Sequence, residues 1–254
     1  MANRRPRETV TAPFAAPAGR GRGNMSGVTP SLNIDAGELP DEPPALVAAA
    51  DRVNVACGGH AGDDDTMRTT LARAQAAGTR AGAHPSYPDR AGFGRVAMDV
   101  APAALALEVE AQCARLAAHA RALGVAIEHV KPHGALYHRA AADPAVADAV
   151  IDGAVAALGP VAVVGPPTGA LRDAALRRGL PYLREGFADR GMTADGGLVP
   201  RGAPGALLHD PADAAAQARR LVASGAYDTV CVHGDSPNAV AVARAVRAAL
   251  ADGA

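Results

Sequence analysis

From Ser31 onward the chain alternates between two apolar rhythms. Short β-prone runs at 31–35, 52–57, 80–84, 127–131, 161–165, 182–186 and 229–233 predict strands. Alanine-rich stretches at 43–50, 64–77, 102–123, 144–157, 168–178, 211–224 and 237–250 predict helices between them. Asp143-Pro144, Asp210-Pro211 and Ser236-Pro237 each put a capping side chain ahead of a proline at the first helical position. Gly78, Gly124, Gly159, Gly179 and Gly225 stand where helices should stop. Strands that alternate with helices pair in parallel. About seven βα units in one domain point to an α/β fold, a distorted seven-stranded parallel β/α barrel, with an open doubly wound sheet as the second choice. Residues 1–24 are rich in Arg, Pro, Gly and Ala and carry no period, so they read as a disordered tail. The barrel domain is expected over 29–252 behind an extension of residues 1–28, and Met25 is a candidate alternative start.

In parallel α/β folds the reacting groups collect at the carboxyl ends of strands. The unusual polar residues fall there. The first strand ends in Asp35 and is followed by Gly37-Glu38. The second leads into Cys57-Gly58-Gly59-His60 and Asp63. The third ends at His84, the fourth at Lys131 and His133, the sixth leads to Glu185, Asp189 and Arg190, and the seventh runs into His233-Gly234-Asp235. Four of the eight histidines, His60, His84, His133 and His233, occupy equivalent strand-end positions, whereas His119, His138 and His209 fall in helices or connections and His129 inside a strand. Such a set suits general acid–base work. It also suits a divalent metal, with His60, His84 and Asp35 as candidate ligands, although no HExxH or comparable short ligand motif is present.

Lys131 is the only lysine, in a chain that otherwise writes its positive charge as arginine. A lysine can give up its proton when buried and an arginine cannot, so this position reads as a movable ammonium or proton donor. Beside it, Gly134 would let the backbone approach a ligand. Gly58, Gly59 and Gly62 read either as a loop of amides facing an anion or as a tight strand-to-helix turn. Arg95 is a candidate bidentate anchor for carboxylate or phosphate, or a surface arginine. Cys57 reads as a buried core thiol ahead of a nucleophile.

Composition narrows the function. A net charge of −1 and a pI near 6.7 leave no electrostatic footprint for nucleic acid or membrane, and the absence of Trp leaves no stacking platform. Three cysteines without a CxxC pair suit a reducing compartment, and no signal-peptide core or spanning run is visible, so a cytoplasmic location is expected. P-loop, Rossmann GxGxxG and GxSxG motifs are absent.

Seven ordered blocks carry a family resemblance. They are Val53 to Asp63, Gly82 to Asp89, Gly92-Phe93-Gly94-Arg95, Val130 to Tyr137, Phe187-Ala188-Asp189-Arg190, Leu198-Val199-Pro200-Arg201 and Val232-His233-Gly234-Asp235. Together they resemble the LamB/YcsF family over roughly residues 31–250. The resemblance implies a seven-stranded deacetylase-like barrel and ATP-dependent opening of 5-oxo-L-proline to L-glutamate, together with partner subunits B and C. ATP is the implied cofactor, bound here or with the partners. On that reading Lys131 and the Gly58, Gly59 and Gly62 amides take a phosphate or oxyanion, with Arg95 and Arg190 as further anion-binding groups. His133 and His84 share proton transfer, Asp35 orients a histidine or water, and His60, His233 and Asp235 complete the pocket. The competing expectations are a metal-dependent amidase or deacetylase on another small amide, and a non-catalytic substrate-binding subunit. Three departures stand out: Ile34 where the family usually has cysteine, Gly37-Glu38-Leu39-Pro40-Asp41 in place of an aromatic-bearing loop, and Gly59 where an aromatic is usual. They imply a more open pocket wall.

Overall fold

The computed structural model describes residues 30–193 and 197–252; the expected N-terminal extension therefore lies outside the described residues. Seven parallel strands close into a barrel in sequence order: β1 (Ser31–Ala36), β2 (Arg52–Ala56), β3 (Arg80–His84), β4 (Ile127–Val130), β5 (Ala162–Gly165), β6 (Tyr182–Phe187) and β7 (Thr229–His233), with β7 pairing back onto β1. The helices lie between them in the chain: α1 (Pro44–Ala49), α2 (Asp64–Ala77), α3 (Pro102–Leu123), α4 (Gly134–Ala142), α5 (Pro144–Leu158), α6 (Ala170–Arg177), α7 (Pro211–Ser224) and α8 (Ala239–Asp252).

The strands alternate faces with period two, and the apolar face is the outer one. Leu32, Ile34, Val53, Val55, Ala83, Val130, Val163, Val230 and Val232 are buried in two apolar clusters that join the strands to the helices. One cluster joins residues of α2, α3, α5 and α6 to β2–β5, and the other joins α1, α7 and α8 to β1 and β7. The other strand face carries a different chemistry. Asn33 donates to Thr229 Oγ1 (2.9 Å), and Asn54 donates to Asn33 Oδ1 (2.8 Å) and Asp35 Oδ1 (2.7 Å). His129 Nε2 donates to Asn54 Oδ1 (2.8 Å), since an amide oxygen can only accept. Each of these groups finds a partner on another strand, which is the condition for burying them. Gly82 makes this possible: any Cβ there would strike the His129 ring, and the β3–β4 register shifts between Ala81 and Gly82.

Two local expectations need correction. α4 is absent from the pattern reading, because its Lys-Pro-His-Gly lead-in looks like a loop. Gly134, at the start of that helix, has φ +55°, and a Cβ on it would strike the Gly94 carbonyl, so the close approach it permits is to backbone. α8 begins at Ala239, after a turn that contains Ser236 and Pro237, and Ser236 Oγ lies 3.2 Å from His209 Nδ1. Ser236-Pro237 is thus a turn and not a helix start. By contrast Asp143 and Asp210 cap α5 and α7 as expected.

Candidate active site

The carboxyl ends of β1, β3, β4, β6 and β7 converge on one buried group of ionisable side chains. Lys131, which follows β4, sits at its base, 2% exposed. Its ammonium donates to Asp35 Oδ1 (2.8 Å) and lies 2.8 Å from Glu185 Oε1, with Cys231 Sγ at 3.1 Å and Asn33 Oδ1 at 3.3 Å. Burial is the largest influence and works against the charge, but Asp35, Cys231 and Glu185 together outweigh it and hold the lysine well above its ordinary range. Asp35 is held well below the carboxylate range: burial pushes it up, and His84 and Lys131 more than reverse this. Lys131 is therefore a fixed cation whose N–H bonds are taken, and the movable ammonium expected from its uniqueness is corrected. The same uniqueness has a structural reason: a compact three-donor head fits between two carboxylates where a planar guanidinium fork would not.

Above Lys131 lie three of the expected histidines and Glu38, which the sequence places after the first strand without a role. Glu38 follows β1, and its loop is shaped by Glu42, whose carboxylate accepts from the amides of Gly37 (2.7 Å), Glu38 (2.9 Å) and Leu39 (3.2 Å). That wrap turns Glu38 inward. Its Oε1 lies 3.0 Å from His60 Nε2, 3.3 Å from His133 Nδ1 and 3.9 Å from His84 Nε2. Burial and then the nearby Asp35 charge raise Glu38 well above the carboxylate range. His60 is pushed down to about 2 and His133 well below its ordinary value, in both cases by burial first and then by neighbouring histidines. The His60 ring is stacked on His133, centroids 3.6 Å apart and planes 2° from parallel.

The fourth histidine stands apart. His233, at the end of β7, directs Nδ1 at both carboxylate oxygens of Asp189 (3.0 Å each), and its backbone amide donates to Asp189 Oδ2 (2.7 Å). Burial raises the Asp189 carboxyl, and the His233 contacts more than offset this, leaving it below the ordinary range. With its proton on Nδ1, His233 keeps a basic Nε2. Asp189 was visible in the sequence as an acid after β6, but nothing in one chain links it to a histidine 44 positions on.

A narrow pocket touches Asp35, His84, Lys131, His133 and His233, with Arg95, Arg190 and Arg201 among its walls. Arg95 pairs with Asp235 and lies over the Phe93 ring. Arg190 donates to the carbonyls of Ala206 (3.1 Å) and Val199 (2.8 Å). Asp235 thus belongs to the rim and not to the histidine group. A larger surface cleft beside α7, lined by Met192, Gln217, Arg220 and Tyr227, holds none of the clustered histidines or carboxylates.

The glycine loop takes the turn role. The Gly58 amide donates to the Ala61 carbonyl (2.9 Å), and the carbonyls of Gly58 and Gly62 accept from Arg90 (3.1 and 2.8 Å). None of Gly58, Gly59 and Gly62 lines the pocket. The expected openings also close. A Cβ at Gly59 would press on Ser86 Oγ (2.5 Å) and the Gln112 amide (2.6 Å), so that wall is filled from α3, and Ile34 faces the helices. Cys57 is buried and pushed up to about 12 by desolvation, an inert thiol. Among the described residues two groups of donor atoms could hold a cation: Glu38, His60, His84 and His133, and Asp35, Cys231 and His233. Of the metal candidates from sequence, His60 and His84 fall in the first and Asp35 in the second. Among the described residues no helix is long and apolar enough to cross a membrane.

Known proteins resemble this chain over most of its length. The LamB/YcsF family model matches residues 32–254. The A subunit of the 5-oxoprolinase from Symbiobacterium thermophilum is 44% identical over 239 residues, covering 86% of this chain and 90% of that protein. The corresponding A subunit from Streptomyces griseus is 45% identical over 237 residues, covering 86% and 94%. The crystal structure of the lactam utilization protein from Thermus thermophilus superposes with a TM-score of 0.81 at 35% identity, over 89% of this chain and 97% of that one.

Proposed function

The chain belongs to the LamB/YcsF family, and from that premise we propose that it is the A subunit of a 5-oxoprolinase, opening the lactam of 5-oxo-L-proline to L-glutamate with ATP and partner subunits B and C. The observation that carries the reading is the His233–Asp189 pair at a pocket whose other walls supply fixed positive charge. A lactam carbonyl is a weak electrophile and its nitrogen a poor leaving group. Phosphoryl transfer from ATP to the carbonyl oxygen would make the carbon attackable. His233 Nε2 would then take the proton of the attacking water while Asp189 steadies the imidazolium. As the C–N bond breaks, His233 Nε2 would return that proton to the departing nitrogen, and a second water would cleave the acyl phosphate left on the former carbonyl carbon to glutamate and phosphate. Arg190 and Arg201 border the space where the substrate carboxylate or a phosphoryl group would lie. The pocket holds about 40 Å³ of free space, room for about one water, so a lactam enters only if the walls give way.

The test is glutamate release from 5-oxo-L-proline by the chain mixed with its B- and C-type partners. ATP-dependent glutamate that vanishes when this chain is omitted is the expected result. Glutamate formed without ATP would overturn the ATP coupling and favour the metal-dependent amidase. No glutamate from three folded proteins would overturn the substrate.

A further inference from the structure

We propose that Glu38 Oε1, His84 Nε2 and His133 Nδ1 form a binding site for a divalent transition-metal ion of the zinc class. Main-chain carbonyls fix the proton positions. His84 Nδ1 lies 2.7 Å from the Lys131 carbonyl, and His133 Nε2 lies 2.9 Å from the Phe93 carbonyl. A carbonyl oxygen only accepts, so each of these ring nitrogens carries the proton. The opposite nitrogens, His84 Nε2 and His133 Nδ1, then both present lone pairs, 3.0 Å apart on rings set 88° to each other. Two lone pairs aimed at one point from that distance repel unless a cation sits between them.

Three acceptors converge, not two. Glu38 Oε1 completes a triangle with edges of 3.0, 3.3 and 3.9 Å. A proton between the two nitrogens would leave Glu38 Oε1 to His60 Nε2 alone, whereas one ion engages all three acceptors. An ion bound at about 2.1 Å in tetrahedral geometry spaces its ligands about 3.4 Å apart, which lies within the range of these edges. Two imidazoles and a carboxylate suit zinc and its first-row neighbours better than magnesium or calcium. Each imidazole already donates its far N–H to a main-chain carbonyl, the support that fixes a metal-binding tautomer.

His60 is not a ligand in this arrangement. Its ring is parallel to His133 at 3.6 Å, so an ion in the plane of one ring would lie off the plane of the other. It serves as a positioning residue: Nε2 faces Glu38 Oε1 at 3.0 Å, and its Nδ1 is buried without a partner. His84 and His133 both line the pocket, so the ion would border the substrate. There it would supply Lewis-acid polarisation of the amide or activation of water. The inference deepens the lactam-opening reading, but its test does not run through turnover.

The untagged full chain, stripped with a chelator, would be titrated with Co²⁺ and followed by its visible d–d absorption, with Zn²⁺ as competitor. Metal content as purified would be read by plasma emission. One saturable equivalent displaced by Zn²⁺ is expected. Glu38→Gln, nearly isosteric and thus able to fold, should weaken Co²⁺ about tenfold or more, and His84→Ala and His133→Ala should do the same. His119→Ala, on the outer surface of α3, should leave binding unchanged. No saturable band in the wild-type chain would overturn the site. So would a band unaltered by Glu38→Gln and His133→Ala in chains with native circular dichroism, because the triangle would then hold only a proton. A stripped chain that still supports ATP-dependent glutamate release sinks the metal and leaves the function standing. A loaded chain that releases none does the reverse.

Discussion

His233 and Asp189 show what a single side chain can be asked to do. Asp189 accepts from the His233 ring and from its backbone amide, so it fixes both the tautomer and the aim of the ring. Asp189→Asn keeps the shape and removes the charge, and an amide can present N–H to the wrong ring nitrogen. We expect kcat for glutamate release to fall by about 10²–10⁴ with KM near wild type. A kcat within a few-fold of wild type would sink the base assignment. His129 carries a second residue-scale expectation. It is pushed down to about 3, by burial first and then by the charges of Arg52 and Lys131. Between its unfolded value near 6.5 and that folded value, the unfolded chain binds a proton the native chain does not. This residue therefore costs the fold about 1.4 kcal/mol for each pH unit of acidification across that window. In urea unfolding followed from about pH 6 to pH 4, His129→Gln should flatten the slope of stability against pH by about one proton. An unchanged slope would mean that His129 is already protonated in the native chain.

At the scale of elements, what was legible depended on whether the cause lay within one stretch of chain. All seven strands sit within about two residues of their expected limits, because each is a short run bounded by local helix and turn signals. The caps of α5 and α7 were legible for the same reason. α4 was not, since Gly134 enters it with a backbone shape chosen by contact with Gly94, far away in sequence. Glu38 was named only as a neighbour of Asp35, because what turns it inward is the Glu42 carboxylate gripping the loop amides. The strand pair β3–β4 yields the corresponding prediction. Gly82 leaves room for the His129 ring, which is pinned by Asn54. Gly82→Ala should cost about 1–3 kcal/mol in denaturant unfolding, the usual range for overpacking. Removing the ring as well, in Gly82→Ala with His129→Ala, should cost less than the two single changes added together. Strict additivity would show that the ring does not set the glycine.

On the scale of the whole molecule, the barrel is unusual in what fills it. Parallel β/α barrels are ordinarily packed inside with branched apolar side chains. Here one connected polar set joins Asn33 and Asp35 of β1, Asn54 of β2, His129 of β4, Glu185 of β6 and Thr229 and Cys231 of β7, with Lys131 at the crossing. The sequence displayed every one of these residues at strand positions, yet a polar residue in a strand reads equally as solvent-facing until closure of the barrel decides which face is inside. The consequence is a particular pattern of tolerance. Lys131→Met leaves the buried carboxylates of Asp35 and Glu185 without their cation, and should lower unfolding stability by about 3–5 kcal/mol. Adding Glu185→Leu and Asp35→Asn removes the stranded charges, and should recover much of that loss even though three charged groups have gone. Thermal and urea unfolding of the single and triple variants would separate the two outcomes. If the triple variant is less stable than Lys131→Met, the polar interior contributes net stability, and the barrel is held closed by the ammonium itself. If it recovers, the interior charges are kept for the site above them: Asp35, held ionised by Lys131, also lies 3.4 Å from His84 Nε2, and so sets the electrostatics of the His84–His133 pair from below.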